Sequence, residues 1–179
     1  MEKRKISVVI PMYYEEEVAK ECYNRMKKVL NDMKGYNNEI IFINDGSKDK
    51  TLEILEEIAS HDKNVKVISF ARNFGHQCAV TAGLKYVTGD VVCIIDADLQ
   101  DPPELIKDMV KKWEEGYEVI YGKRKTREGE SFFKLFTAKM FYKTLNFFSD
   151  VDIPKDTGDF RVVDRKVVDT INSLSEHNK

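Results

Sequence analysis

The segment VVCIIDADLQDPPEL (91–105) drives five apolar residues into two carboxylates one residue apart, Asp96 and Asp98, and then opens a helix at a Pro-Pro pair. Extended backbone sends residues i and i+2 to one side. Both charges would then be presented together, and they repel unless something positive lies between them. A hard divalent cation meets that need. Carboxylate oxygens suit Mg²⁺ or Mn²⁺, which take one or two protein carboxylates together with substrate phosphates. Gln100 stands two residues beyond Asp98 and offers an amide oxygen as a third ligand. An ion held there would bridge the site to a diphosphate and stabilise it as a leaving group. A plain surface turn is the competing reading, since Asp is a common turn residue.

Two further segments carry chemistry. Asp45, in FINDGSKD, is a carboxylate at a strand end that can accept hydrogen bonds from the N–H face of a nucleobase. It could equally cap the following helix or build a turn with Gly46 and Ser47. The run KRKTR (123–127) puts four basic residues into five. Its Arg124 and Arg127 have the planar guanidinium that suits bidentate phosphate contacts, although a solvated loop is the commoner fate of such a run.

The elements that must position these residues alternate. ISVVI (6–10) reads as a strand ending at Pro11, and 15–33 as a helix with Val18, Cys22, Met26, Val29, Leu30 and Met33 on one face. EIIFI (39–43) is a second strand, followed by a helix carrying Leu52, Leu55, Ile58 and Ala59. VKVISF (65–70) is a third, with a helix over about 75–87; VVCIID (91–96) is a fourth, with a helix over 103–115; EVIYG (118–122) is a fifth. Strands apolar throughout and separated by helices predict a mostly parallel sheet covered on both faces. Ligands of such sheets bind beyond the carboxyl ends of the strands, where Pro11-Met12-Tyr13, Asn44-Asp45, Arg72-Asn73 and Asp96-Ala97-Asp98 collect.

After residue 122 the pattern changes. Phe133, Phe136, Met140, Phe141, Thr144, Phe147 and Phe148 fit one helical stripe, while Phe132, Leu135, Tyr142 and Leu145 lie off it. A helix apolar on more than one side is either buried on both or meets a lipid surface. DTGDFRVVDRKVVDTI (156–171) then offers a short strand and a closing helix.

Composition excludes several classes. A net charge of −2 exerts no general pull toward nucleic acid. Cys22, Cys78 and Cys93 form no CxxC pair and read as free thiols of a reducing compartment. His61, His76 and His177 show no ligand spacing and read as incidental. No run approaches the roughly 18 apolar residues of a membrane span, so the chain itself is expected to be soluble. The turn after the first strand, PMYYEEE, lacks the GxGxxG of dinucleotide-binding folds, and no GxxxxGK[ST] exists. A receiver module would gather acids at strand ends but has no evident need for the basic run and the aromatic helix.

In combination, SVVIPMYYEEE, INDGSKDKT, ARNFGHQCAVTAGL, DADLQDPPE, GKRKTREGES and DTGDFRVVDR, in that order, resemble the family 2 glycosyltransferases, specifically the branch that moves a sugar to a polyprenyl phosphate. The segments are spread over nearly all of the chain. The resemblance implies an α/β GT-A fold with a Rossmann-like central sheet, a single catalytic domain over 1–179, and an inverting, metal-dependent transfer using Mg²⁺ or Mn²⁺. It implies a nucleotide-sugar donor, a UDP-sugar ahead of a GDP-sugar, and a polyprenyl (undecaprenyl) phosphate acceptor. Pro11, Tyr13 and Glu15 would line the nucleoside pocket and Asp45 would hold the base. Asp96 and Asp98 would be the metal pair, with Asp96 also part of the donor site and Gln100 a further ligand. Asp159 matches the acid assigned as catalytic base, and Arg124 and Arg127 would meet phosphates. Tyr14 departs from the family pattern, where most members have Asn. Members of this branch continue into membrane helices, so the chain is expected to be a catalytic domain cut before them, from a parent at the cytoplasmic face of a membrane. Two rival readings share these motifs: a transferase acting on a glycan hydroxyl, and a nucleotide-sugar-binding fragment without catalysis.

Overall fold

The structure is a computed structural model that describes residues 3–123 and 157–174. Arg124, Arg127, most of the basic run and the aromatic stretch 132–148 lie outside the described residues. Contacts divide the chain into two compact units, Met1–Tyr121 with Asp159–Lys179, and Gly122–Gly158. The site described below lies wholly in the first.

The elements run β1 (Lys5–Met12), α1 (Ala19–Asp32), β2 (Asn37–Asn44), α2 (Thr51–His61), β3 (Val65–Ser69), α3 (His76–Tyr86), β4 (Val91–Ile94), a short 3₁₀ turn (Pro103–Leu105), α4 (Ile106–Glu114), β5 (Val119–Lys123), β6 (Thr157–Asp164) and α5 (Arg165–Ser173). They build one six-stranded sheet of order β3-β2-β1-β4-β6-β5. The β1–β2, β1–β4 and β2–β3 pairs are parallel, and β6 runs antiparallel to β4. The expected mostly parallel α/β sheet, the GT-A arrangement, is therefore what the chain adopts.

Both faces are covered because the strands are apolar on both sides. Ile6, Val8, Ile10, Ile40 and Phe42 meet α1, α2 and α4 on one face; Val9, Ile41, Ile43, Val92 and Ile94 meet α3 and α5 on the other. Helix α3 seats closely. A Cβ on Gly83 would lie 2.5 Å from a Val9 methyl, so a larger residue there would lift α3 off β1.

Two boundaries differ from expectation. Strand β1 passes through Pro11 to Met12, since Pro11 pairs with Ile43. The Val9 and Met12 carbonyls accept from Ile95 and Asp45, so alternate residues turn their backbone to β4 and to β2. Pro11 turns toward β4, whose pairing with β1 has ended at Val9–Ile94, and its missing N–H removes no ladder bond. Strand β4 in turn stops at Ile94, so Asp96 and Asp98 lie in the turn beyond it, not on a strand.

The amino-terminal edge of the sheet carries a buried charge. Glu39, 2% exposed, accepts from Lys5 and Lys66 at 2.9 Å, from the Ser7 hydroxyl at 2.6 Å and from the Thr88 N–H at 2.7 Å. Burial alone would raise its pKa, but these donors outweigh it and hold the carboxyl down at about 2.

Candidate functional site

In the strand order β3-β2-β1-β4 the chain reverses direction across the sheet after β3, so the switch point lies between β1 and β4. Open α/β sheets bind ligands there, beyond the strand ends. A cleft of about 300 Å³ occupies that place, lined by Pro11, Tyr13 and Glu15 after β1, Asp45 after β2, His76 at the start of α3, and Asp96 and Asp98 after β4.

Asp159 reaches the cleft by strand register. The β4–β6 pairing sets Arg161 opposite Ile94, and continuing it by two residues puts Asp159 opposite Asp96. Between the two carboxylates stands His76, with Nδ1 3.8 Å from Asp96 and Nε2 3.5 Å from Asp159. Among the described residues these three form a group whose ligand atoms all lie within 4.8 Å of one another. Asp159 is also paired with Arg161, whose Nη2 donates at 3.1 Å.

The charge balance is set mainly by acids. Burial raises the pKa of Asp96; His76 opposes that rise, and Asp159, Asp98 and Asp101 add to it. Burial likewise raises Glu15, with Asp98, Asp49 and Asp96 contributing. Carboxylates this close favour a cation, and a donor set of two carboxylates and an imidazole fits Mn²⁺ well and Mg²⁺ through its oxygens.

Asp45 takes a role different from both alternatives drawn from its local sequence. It is 3% exposed, and its two oxygens accept the N–H groups of Phe74 at 2.7 Å and Gly75 at 2.9 Å, fixing the entry to α3. The local turn belongs instead to Asn44, whose Oδ1 accepts the Ser47 N–H at 3.2 Å, and Asp49 accepts from Thr51 at the start of α2. Gly46 permits the approach: its φ is +69°, and a Cβ there would lie 2.3 Å from the Arg72 backbone.

The expected metal set is only partly assembled. Asp98 is exposed at the cleft rim, with Oδ1 accepting the Gln100 N–H at 3.0 Å, and Gln100 is exposed and not among the residues that line the cleft. The argument that i and i+2 share a side fails because both acids lie past the strand, in a turn where Leu99 adopts φ +58°. Tyr14, where the family pattern has Asn, also has φ +58°, a region that Asn enters more readily than Tyr. His76, read as incidental, is instead central. Its place at the first turn of the helix that follows β3 was the available signal.

Comparison with known proteins bears on the family and the fold. The model of Glycosyl transferase family 2 matches residues 7–171. The uncharacterized glycosyltransferase YkcC of Bacillus subtilis (strain 168) is 55% identical over 172 residues, 96% of this chain and 53% of that protein. A bactoprenol glucosyl transferase of Shigella phage SfX is 43% identical over 174 residues, 97% of this chain and 57% of that protein. The chain thus spans about half the length of the curated relatives it matches. Among solved structures, the mannosyltransferase PcManGT of Pyrobaculum calidifontis, in complex with GDP-Man and Mn²⁺, superposes with a TM-score of 0.66 over 99% of this chain and 50% of that one. At 16% identity that likeness shows the fold alone. Motifs, fold and a family match that runs almost end to end place the chain in Glycosyl transferase family 2.

Proposed function

We propose that this chain is a catalytic domain, 1–179, that transfers a sugar from a nucleotide-sugar, a UDP-sugar ahead of a GDP-sugar, to a polyprenyl phosphate with inversion at the anomeric carbon. The observation that carries the reading is the convergence of Asp96, Asp159 and His76 at the switch point, in a cleft that also takes Pro11, Tyr13, Glu15 and Asp45. The bactoprenol glucosyl transferase relatives support the choice of acceptor.

The nucleoside would lie against Pro11, Tyr13 and Glu15, with Asp45 holding both the α3 entry and the base. Asp96 and Asp98 would hold Mg²⁺ or Mn²⁺, with Gln100 as a further ligand and His76 and Asp159 facing the same space. When bound, that ion supplies charge neutralisation to the departing diphosphate, the kind of electrostatic help that usually dominates. Arg124 and Arg127 would add positive charge at the phosphates.

Asp159 would have one of two tasks, according to whether the acceptor has a proton to lose. A base contributes about 10²–10⁴-fold where a hydroxyl must lose a proton. A phosphate monoester with its second pKa near 6 is largely dianionic at pH 7 and has little proton to give. With that acceptor the Asp159–Arg161 pair orients the guanidinium toward the incoming phosphate. Asp159→Asn should therefore slow transfer to a hydroxyl far more than transfer to a polyprenyl phosphate. Equal and severe losses with both acceptors would reject the orienting role. Transfer to a glycan hydroxyl is the second reading, favoured by the His76 Nε2 to Asp159 distance of 3.5 Å, which suits a base–imidazole couple. Contact with a membrane surface through the aromatic and basic segments is part of the first reading. Co-sedimentation with anionic liposomes tests it, and binding no greater than to neutral vesicles would count against it.

A further inference from the structure

A second cavity of about 360 Å³ lies on the α3 face of the sheet, and His76 lines both it and the cleft. Its walls are Val80 and Leu84 of α3 and Val167 and Ile171 of α5, and its floor includes Ile94 of β4 and Val163 of β6. Gln77, Thr81 and Tyr121 add polar atoms to the lining, and His76 and Arg161 in that lining stand beside Asp159. A groove lined mainly by apolar side chains, with the Arg161 guanidinium in its lining, matches an amphiphile with an anionic head.

We propose that this groove receives the first isoprene units of the acceptor, with the phosphate between Arg161 and His76 and the tail running between α3 and α5. The inference rests on the reading of a polyprenyl phosphate acceptor and gives that acceptor a location. Burial of apolar carbon drives the seating, so affinity should rise with chain length until the groove is full.

The test is calorimetry on the whole chain with inorganic phosphate and with five-, ten- and fifteen-carbon prenyl monophosphates. Affinity should rise by at least about tenfold for each unit that enters, the gain from burial being partly offset by ordering the chain, and then level off. Val167→Glu, and separately the half-exposed Leu174→Glu, should each remove that gain while leaving the affinity for inorganic phosphate and for nucleotide unchanged. Arg161→Ala should weaken all the phosphates together. Affinity independent of chain length, or a gain that survives both glutamate variants, overturns the proposal. So does a lowered melting temperature in both variants with no prenyl phosphate bound by any form, which would mean that the chain itself covers the groove. Failure of nucleotide-sugar binding with the chain-length gain intact would instead sink the transferase reading and leave the groove standing.

Discussion

Asp45→Asn separates the task the structure gives this carboxylate, at the entry to α3, from the one proposed for it, at the base. In the structure Asp45 is 3% exposed and holds the Phe74 and Gly75 N–H groups with one oxygen each. Asn keeps one acceptor oxygen and turns an NH₂ toward the other N–H, leaving a part-buried donor without a partner. That loss costs about 1–3 kcal/mol. In a chain of 179 residues a kilocalorie lowers the melting temperature by about 2–4 °C. The variant should therefore melt roughly 4–8 °C below the parent for a loss of about 2 kcal/mol. Because Phe74 and Gly75 lead directly into His76, the imidazole should also lose its fixed place between Asp96 and Asp159. Thermal unfolding followed by circular dichroism, with nucleotide affinity measured on the same samples, reads both effects. An unchanged melting temperature beside a lost nucleotide affinity would refute the reasoning, for the carboxylate would then serve the base and not the helix.

Three other outcomes are expected. Glu39, held at about 2 against an ordinary 4.5, stabilises the fold above pH 4.5 and loses that contribution as pH falls toward 2; with its lysines a third to half exposed, Glu39→Gln should cost about 2 kcal/mol at pH 7 and little at pH 2 by urea unfolding, and an equal cost at both would contradict it. Asp98→Ala should abolish the Mn²⁺-dependent part of nucleotide-sugar binding, and calorimetry showing the same metal-dependent affinity would remove Asp98 from the metal set. Burial raises the Cys22 thiol to about 12 and pushes Cys93 up as well; since Cys78 alone of the three is exposed, the native chain should take up one iodoacetamide, and rapid labelling of two or three thiols would contradict the packing.

The layered fold was legible because its signals are local. Period-3.6 faces such as Cys22, Met26, Val29 and Leu30 mark α1, and the fully apolar IIFI of β2 marks a strand buried on both sides. The ends were less legible, because what stops a strand is its neighbour: β1 continues through Pro11 and β4 halts at Ile94 according to which backbone groups a partner strand demands. The acids at the strand ends could be listed from the sequence, but their mutual arrangement could not. Asp159 meets Asp96 only through an antiparallel register 63 positions later in the chain, and His76 joins them only because Asp45, 31 positions earlier, anchors the entry to α3. Such pairings are set by topology, which no single segment encodes.

The insertion of β6 between β4 and β5 has a consequence for biosynthesis. A ribosome has already released all of β1 to β5 before the strand bearing Asp159 emerges. Until then the outer rim of β4 has no hydrogen-bonding neighbour on that side, and bare strand rims invite pairing with other chains. A nascent polypeptide halted before residue 157 should thus be both inert and prone to clump, so one late-arriving segment would complete the chemistry and protect the chain in the same step.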